Sequence, residues 1–176
     1  REKQMMKHLL QDWKVLAEEL GALEHAVAGG LAVGVYSPER ATQDIDIVIV
    51  SMTAVVERFE KLGYNYKGKL SIGGETWEMH DGREVDILDI SDRPWAEIAL
   101  QEAQSLHFNG FPVLPLPYLI LMKLEASRMQ DIADIGRLIK YADEKTRFKM
   151  HEVVKKYRPQ DLEDLEQIIQ IEDTLT

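Results

Sequence analysis

The chain contains no cysteine. That absence excludes disulfides, thiolate zinc sites and cysteine nucleophiles together. It also lacks any apolar run approaching the ~20 residues that a membrane-spanning helix needs, and no charged-then-apolar leader opens it. No serine lies in a recognisable nucleophile elbow. His80, His107 and His151 have no neighbours at metal-ligand spacing, which argues against zinc. Basic charge is in deficit as well: 21 Lys and Arg stand against 31 Asp and Glu, a net charge of −10. A broad basic face for double-stranded DNA is therefore not expected, although a polyanion carried in with metal ions is compatible with such a charge. What is present is enough for a core: 176 residues, 45% of them apolar, fit one domain or a core with a small appendage. A cytoplasmic protein with no membrane partner is the expectation.

Met6, Leu9, Trp13, Leu16 and Leu20 recur at three- and four-residue steps and form one stripe of an amphipathic helix, which Gly21 ends. Ala26, Val27 and Ala28 read as a short buried strand running into Gly29-Gly30, and Leu31 to Val35 as a helical turn before Ser37-Pro38. Ile45, Ile47, Val48, Ile49 and Val50 are a β-branched run too short for a typical helix, so they predict a central strand. Residues 52–62 read as a helix closed by Gly63, and Tyr64 and Tyr66 open a strand-rich stretch. Asp81-Gly82, flanked by Trp77 and Met79 on one side and Val85 and Ile87 on the other, predicts a two-residue hairpin loop. That loop pairs His80 with Arg83 and sets Trp77 opposite Asp86. A further strand near Leu106 to Val113 precedes Pro112, Pro115 and Pro117, which mark the expected boundary. Residues 118–129, 131–142, 148–157 and 160–173 read as helices. The class is α+β, with a core over residues 1–114 that includes the first helix and a helical region over 115–176. The last helices are split in charge, with six Lys or Arg over 145–158 and six acids without a base over 160–176, as solvated faces usually are.

Chemistry concentrates in Arg40-Ala41-Thr42-Gln43-Asp44-Ile45-Asp46. Alternate residues of a strand share a face, so Asp44 and Asp46 project together while Ile45, Ile47 and Ile49 enter the core. Two carboxylates so close repel each other unless a divalent cation lies between them, and such hard oxygen ligands suit magnesium or manganese. The plainer alternative is a strand that starts in solvent with two acids. Asp86, in Glu84-Val85-Asp86-Ile87-Leu88-Asp89, is a third acid within an apolar strand. Glu84 shares its face and is the alternative ligand, whereas Asp89 points the other way. Three such carboxylates can hold two cations about 3.5–4 Å apart. Gly29-Gly30 permits close backbone approach, and a helix starting there offers unpaired N–H groups to phosphate; a simple turn is the alternative. Trp77 and Trp95 are packing residues by their apolar area.

Gly-Gly after a strand, a short helix, Arg-x-Thr-x-Asp-x-Asp opening a second strand, and a later strand bearing a third Asp resemble the polymerase-β-like nucleotidyltransferase superfamily over roughly residues 22–90. The resemblance implies the nucleotidyltransferase fold: a small mixed β-sheet packed with helices, followed here by a helical C-terminal region. It implies transfer of an NMP from an NTP to an acceptor hydroxyl, with release of pyrophosphate and with Mg2+ or Mn2+ as cofactor. Asp44 and Asp46 would bind the metals, and Asp86 would ligate the catalytic metal and orient the incoming hydroxyl. Gly29 and Gly30 would line the triphosphate, with Arg40 and Thr42 as contributors beside them. Gly30 stands where the family often has serine.

Lys123-Leu124-Glu125-Ala126 and Arg128-Met129-Gln130-Asp131-Ile132-Ala133-Asp134 are similar to the Lys-x-x-Ala and Arg-x-Lys-Asp-x-x-Asp pattern of prokaryotic nucleotidyltransferases that include abortive-infection toxins, with Gln130 in place of Lys. If the helix continued unbroken, Lys123, Ser127, Gln130 and Asp134 would share one face. Lys123 would then stand beside the triphosphate, oriented by Asp131 or Asp134; an ordinary amphipathic helix with local ion pairs is the alternative. The acceptor is expected to be a small molecule, an RNA 3′ end or a protein side chain, and the acidic balance favours a small molecule or a short end over a long RNA. Two other readings stand beside catalysis: a non-catalytic nucleotide-binding module, and a toxin component held by an antitoxin-like protein partner.

Overall fold

The β-branched run at Ile45 becomes the second strand of a five-stranded mixed sheet. The structure is a computed structural model that describes residues 13–38, 40, 42, 44–108 and 110–175. The strands are β1 (His25–Ala28), β2 (Ile45–Ile49), β3 (Asn65–Lys69), β4 (Gly74–Glu78) and β5 (Glu84–Asp89), in the order β1-β2-β5-β4-β3. Only the central pair, β2 with β5, is parallel. Ile45, Ile47, Val48 and Ile49 are buried, as are Val85 and Ile87 on the partner strand. Apolar side chains on both faces of this pair make it the centre of the core.

Around the sheet lie α1 (Lys14–Leu20), α2 (Gly29–Tyr36), α3 (Met52–Leu62) and α4 (Ala96–Ala103). A small hairpin, β6 (His107–Phe108) with β7 (Phe111–Pro112), leads to α5 (Leu116–Ala126), α6 (Met129–Tyr141), α7 (Glu144–Tyr157) and, after a 3-10 turn at Pro159–Asp161, α8 (Leu162–Leu175). The chain thus has the α+β architecture expected, a mixed sheet followed by helices. Among the described residues, no helix is long and apolar enough to cross a membrane. α2 contacts β2 on one side and α5 and α6 on the other, which places it between sheet and helical region.

The first helix buries Trp13, Leu16 and Leu20, whereas Met6 and Leu9 of the same stripe lie outside the described residues. α3 ends at Gly63, whose φ of 75° is the left-handed closure that glycine tolerates. α2 begins at Gly29, two residues before the turn expected at Leu31. α7 starts at Glu144 rather than 148, because the Asp143 carboxylate accepts the Thr146 N–H at 2.7 Å and caps it. Residues 106–113 form two paired two-residue strands in place of one, and α4 was not marked by any sequence signal used above.

Two further differences alter the site. The β4–β5 loop contains three residues, not two: the Met79 N–H donates to the Arg83 carbonyl at 2.8 Å, and Gly82 closes the turn at φ 85°. The register therefore moves by one, so that Trp77 faces Val85 and Thr76 faces Asp86. A one-residue slip exchanges the faces of a strand, which is how Trp77 comes to lie in the core against Phe59. Nor does the helix through Lys123 continue. It stops at Ala126, Ser127 takes φ 51°, and α6 starts afresh at Met129.

Candidate active site

Parallel pairing of β2 with β5 sets Asp46 directly opposite Asp86, on strands about 4.8 Å apart. Asp86 accepts the Thr76 hydroxyl at 2.6 Å from the other neighbouring strand. The Asp46 carboxyl is pushed up to about 6, first by burial and then by the charges of Asp86 and Asp44, with Lys123 and Arg128 acting in opposition. Asp44 is exposed just before β2, and its N–H donates to the Thr42 hydroxyl at 3.3 Å. All three acids line one cleft of about 630 Å3, within the range of small-molecule sites. Among the described residues, no three acidic or histidine side chains gather closely enough to form a metal cage. The donor chemistry nevertheless suits a hard divalent cation: carboxylate oxygens only, with a partly buried member whose ionisation its acidic neighbours oppose.

α2 starts against this pair. A Cβ on Gly29 would lie 1.9 Å from Oδ2 of Asp46, and Gly29 has φ 62°. A Cβ on Gly30 would lie 2.8 Å from Nη2 of Arg40 and 3.1 Å from Cγ2 of Thr42. Gly29 is thus required both by its φ and by the carboxylate that crosses it, whereas Gly30 lies under the Arg40 guanidinium. Gly30, Arg40 and Thr42 line the same cleft, beside the free N–H groups of the helix start.

The break at Ser127 folds α6 back so that Asp131 and Asp134 both meet Lys123. The Lys123 Nζ donates to Asp131 Oδ1 at 3.2 Å and to Asp134 Oδ2 at 3.0 Å. Lys123 is 8% exposed, Asp131 1% and Asp134 0%. Asp134 also accepts Arg40 Nε at 3.0 Å and Arg137 Nη1 at 2.9 Å. Asp131 accepts the Arg128 backbone N–H at 3.1 Å and its Nε at 2.7 Å. Burial works against ionisation of Asp131, yet the bonds from Arg128 and Lys123 prevail and hold its carboxyl below the ordinary value. Four cations share these two carboxylates, and three of them, Arg40, Lys123 and Arg128, line the cleft that also holds Asp44, Asp46 and Asp86. The break means that Lys123, Ser127, Gln130 and Asp134 do not share one continuous helix face.

Sequence reading missed Thr76 and Arg137, and quoted Arg128 in its motif without giving it a role. The two arginines had a usable signal, since each stands three residues from an acid on α6 or its cap. Thr76 was hidden by the one-residue error in the hairpin. Also missed was the other end of the cleft, where Leu70, Ile72, Leu88 and Met122 form an apolar wall and Arg93 reaches Glu125.

Comparison with protein-family models and with curated proteins gives no match. Solved structures do match. The crystal structure of ANT(2'')-Ia in complex with adenylyl-2''-tobramycin is similar at a TM-score of 0.50, with 16% identity over 94% of this chain and 95% of that one. The solution structure of the antibiotic-resistance factor ANT(2'')-Ia has a TM-score of 0.48, with 16% identity over 96% and 94% of the two chains. At this identity the likeness is one of fold. It supports the nucleotidyltransferase fold, and no comparison supports the abortive-infection branch.

Proposed function

We propose that this chain transfers a nucleoside monophosphate from an NTP to a hydroxyl of a small acceptor and releases pyrophosphate. The observation that carries the reading is the Asp46–Asp86 pair, in register under the glycine start of α2 and facing Lys123 in one cleft. Carboxylates at one wall, helix N–H groups at a second and a buried ammonium at a third are the parts that phosphoryl chemistry needs for positioning and charge stabilisation.

In this reading the triphosphate lies along Gly29 and Gly30, with Lys123 as its buried cation and with Arg40, Thr42 and Arg128 beside it. Asp131 and Asp134 hold the Lys123 ammonium in place and aim it. Asp46 and Asp86, with Asp44 at the mouth, would hold Mg2+ or Mn2+; when bound, such an ion neutralises triphosphate charge and makes the attacking hydroxyl more acidic. Asp86, fixed by Thr76, orients the incoming hydroxyl and receives its proton. The acceptor oxygen forms a bond to the α-phosphorus as the bond to the pyrophosphate oxygen breaks.

The apolar wall at the far end leaves room for the acceptor between the core, residues 1–114, and the helical region, residues 115–176. A small hydroxylated acceptor is favoured over a macromolecule by the enclosed volume and by the net charge of −10. ANT(2'')-Ia is solved in complex with adenylyl-2''-tobramycin, an adenylylated small molecule. We place the activity in the cytoplasm, where NTPs are available. The test is incubation with each NTP, Mg2+ and a panel of amino-sugar and neutral polyol acceptors, read by pyrophosphate release and product mass. Turnover by the native chain and none by Asp46→Asn is the expected result; equal turnover by both refutes the assignment.

A further inference from the structure

The cleft turns from charged to apolar over a short distance, on the sheet side and on the helical side alike. Asp86 and Leu88 stand two residues apart on β5, so their side chains share a face about 7 Å apart along the strand. The neighbouring strand matches each of them. Thr76, opposite Asp86, gives the acid a hydroxyl donor at 2.6 Å, whereas Gly74, opposite Leu88, sets no side chain beside it. On the helical side Leu119 precedes Lys123 by one turn of α5 and shares its face, and both line the cleft.

The apolar stretch ends at the rim on Ile72, which is 64% exposed. A lone exposed isoleucine is ordinary, but this one continues the wall of Leu70, Leu88 and Met122. The hairpin that carries it is tied at its root. The Leu70 N–H donates to the Gly74 carbonyl at 2.9 Å, and the Asp89 N–H to the Gly73 carbonyl at 3.2 Å. A Cβ on Gly74 would lie 2.0 Å from the Ile87 carbonyl oxygen, so backbone packs on backbone there and keeps Ile72 at the rim. The charges along this stretch already have partners within the chain: Arg93 bonds Asp92 and Glu125, and Asp89 accepts the Ser91 N–H at 2.9 Å. A ligand bringing charge here must break those bonds, whereas one bringing hydrocarbon need only displace water.

We propose that the acceptor is an amphiphile, with a hydroxyl about 7 Å from an apolar group, and that Ile72 is a specificity-determining residue for it. The hydroxyl sits at Asp86 and the apolar group lies against Leu88 and Ile72. This deepens the proposed function and rests on it for the role of Asp86. A compact polyol that fills the Asp86 end reaches neither apolar residue and gains nothing from the wall.

The probes are methyl, butyl and hexyl β-D-glucoside, which share one set of hydroxyls and differ only in hydrocarbon. Amide chemical-shift titration of the isotope-labelled chain reads both affinity and location. Binding is expected to tighten about twofold for each added methylene, short of the roughly fourfold of complete transfer from water. The hexyl compound then exceeds the methyl one by about thirtyfold, with shifts centred on Ile72 and Leu88. Ile72→Ser should cut that ratio below about tenfold. Ile98→Ser, at an exposed isoleucine of α4 that does not line the cleft, should leave it unchanged. Thermal melting checks that both variants fold. Saturating α,β-methylene-ATP with Mg2+, a nucleotide that cannot transfer its α-phosphate, should leave the chain-length gain intact. A hexyl-to-methyl ratio under about threefold, equal losses in the two variants, or loss of the gain when the nucleotide is bound overturns the proposal; the last outcome gives the wall to the nucleobase. Failure of the proposed function shows separately, as the absence of shifts at Gly29 and Gly30 when that nucleotide is added.

Discussion

Gly29 and Asp46 are in steric conflict for any residue but glycine, because a Cβ at position 29 would stand 1.9 Å from the Asp46 Oδ2. The helix start and the acid are thereby locked to one arrangement, in which free N–H groups and a carboxylate face the same space. Gly29→Ala must push Asp46 aside or shift α2, and it also places alanine at φ 62°. The expected cost is about 1–3 kcal/mol of stability, with nucleotidyl transfer lowered at least a hundredfold. Thermal melting and initial rates check both; a variant with native rates refutes the role of this contact.

Asp46 makes a stability prediction of unusual sign. Its carboxyl is raised from 3.8 to about 6, foremost by burial and next by Asp86. The folded state thus holds this proton more tightly than the unfolded chain. The stabilisation is full below 3.8 and is lost as pH rises through about 6, a loss on the order of 1–3 kcal/mol. Asp46→Asn lacks this titration, so its urea midpoint relative to the native chain should increase from pH 4.5 to pH 7.5. Mg2+ at pH 7.5 should raise the melting temperature of the native chain and leave Asp46→Asn nearly unchanged. A native-minus-variant difference that is flat in pH, or equal Mg2+ responses, contradicts this account.

Much of the site was legible because short-range patterning determined it. Gly29-Gly30, the alternating Asp44 and Asp46, and the β-branched strand are local signals, and a parallel partner strand carrying Asp86 follows from the chain's need to bury both faces of that run. Lys123 with Asp131 or Asp134 was expected in outline, and the two helices over 118–129 and 131–142 are present; only the conditional unbroken helix face fails, since it would have used one acid, whereas the left-handed Ser127 allows both. No composition rule marks a serine for φ 51°. The partners that tie distant segments, Arg40 to Asp134 and Arg93 to Glu125, span 94 and 32 residues, and no periodicity reports contacts at that range.

Asp134 is the keystone of the cationic end, since Arg40, Lys123 and Arg137 all donate to it. Asp134→Ala leaves a buried ammonium with less counter-charge, a change that costs about 3–5 kcal/mol when one partner of a buried pair is removed. Asp134→Asn keeps an acceptor oxygen and should fold more stably than Asp134→Ala, with a raised KM for NTP in which kcat falls less. Equal stability of the alanine variant and the native chain in urea would show that this network contributes nothing to the fold.

Thr76 tests the hairpin register directly. Its hydroxyl donates to Asp86 at 2.6 Å from the facing position of β4. Thr76→Val preserves the branched shape that a strand favours and removes only the donor. The rate is expected to fall about tenfold, the scale of one hydrogen bond to a charged group, with melting within a few degrees of native, and Thr76→Ser should restore it. If valine and serine variants behave alike, Asp86 does not depend on this bond.

His25 makes the opposite pH prediction to Asp46, at a site away from the cleft. Its ring is buried, its Nδ1 donates to the Leu23 carbonyl at 2.6 Å, and its Nε2 has no hydrogen-bond partner among the described residues. Only the neutral ring with the proton on Nδ1 fits that arrangement. Burial pushes its pKa down from 6.5, and the charge of His107 adds to the effect. The unfolded chain therefore takes up a proton first as the solution is acidified. Stability from this group is full above 6.5 and declines as pH falls below that value towards the lowered folded pKa. His25→Phe removes the titration and keeps an aromatic ring edge-on to Phe111, which now lies 6.4 Å from the imidazole centroid. Urea midpoints at pH 7.5 and 5.5 should show the native chain losing more stability than the variant over this interval. Parallel losses would mean that His25 accommodates its proton within the fold, and that the neutral ring is not what the packing around β1 requires.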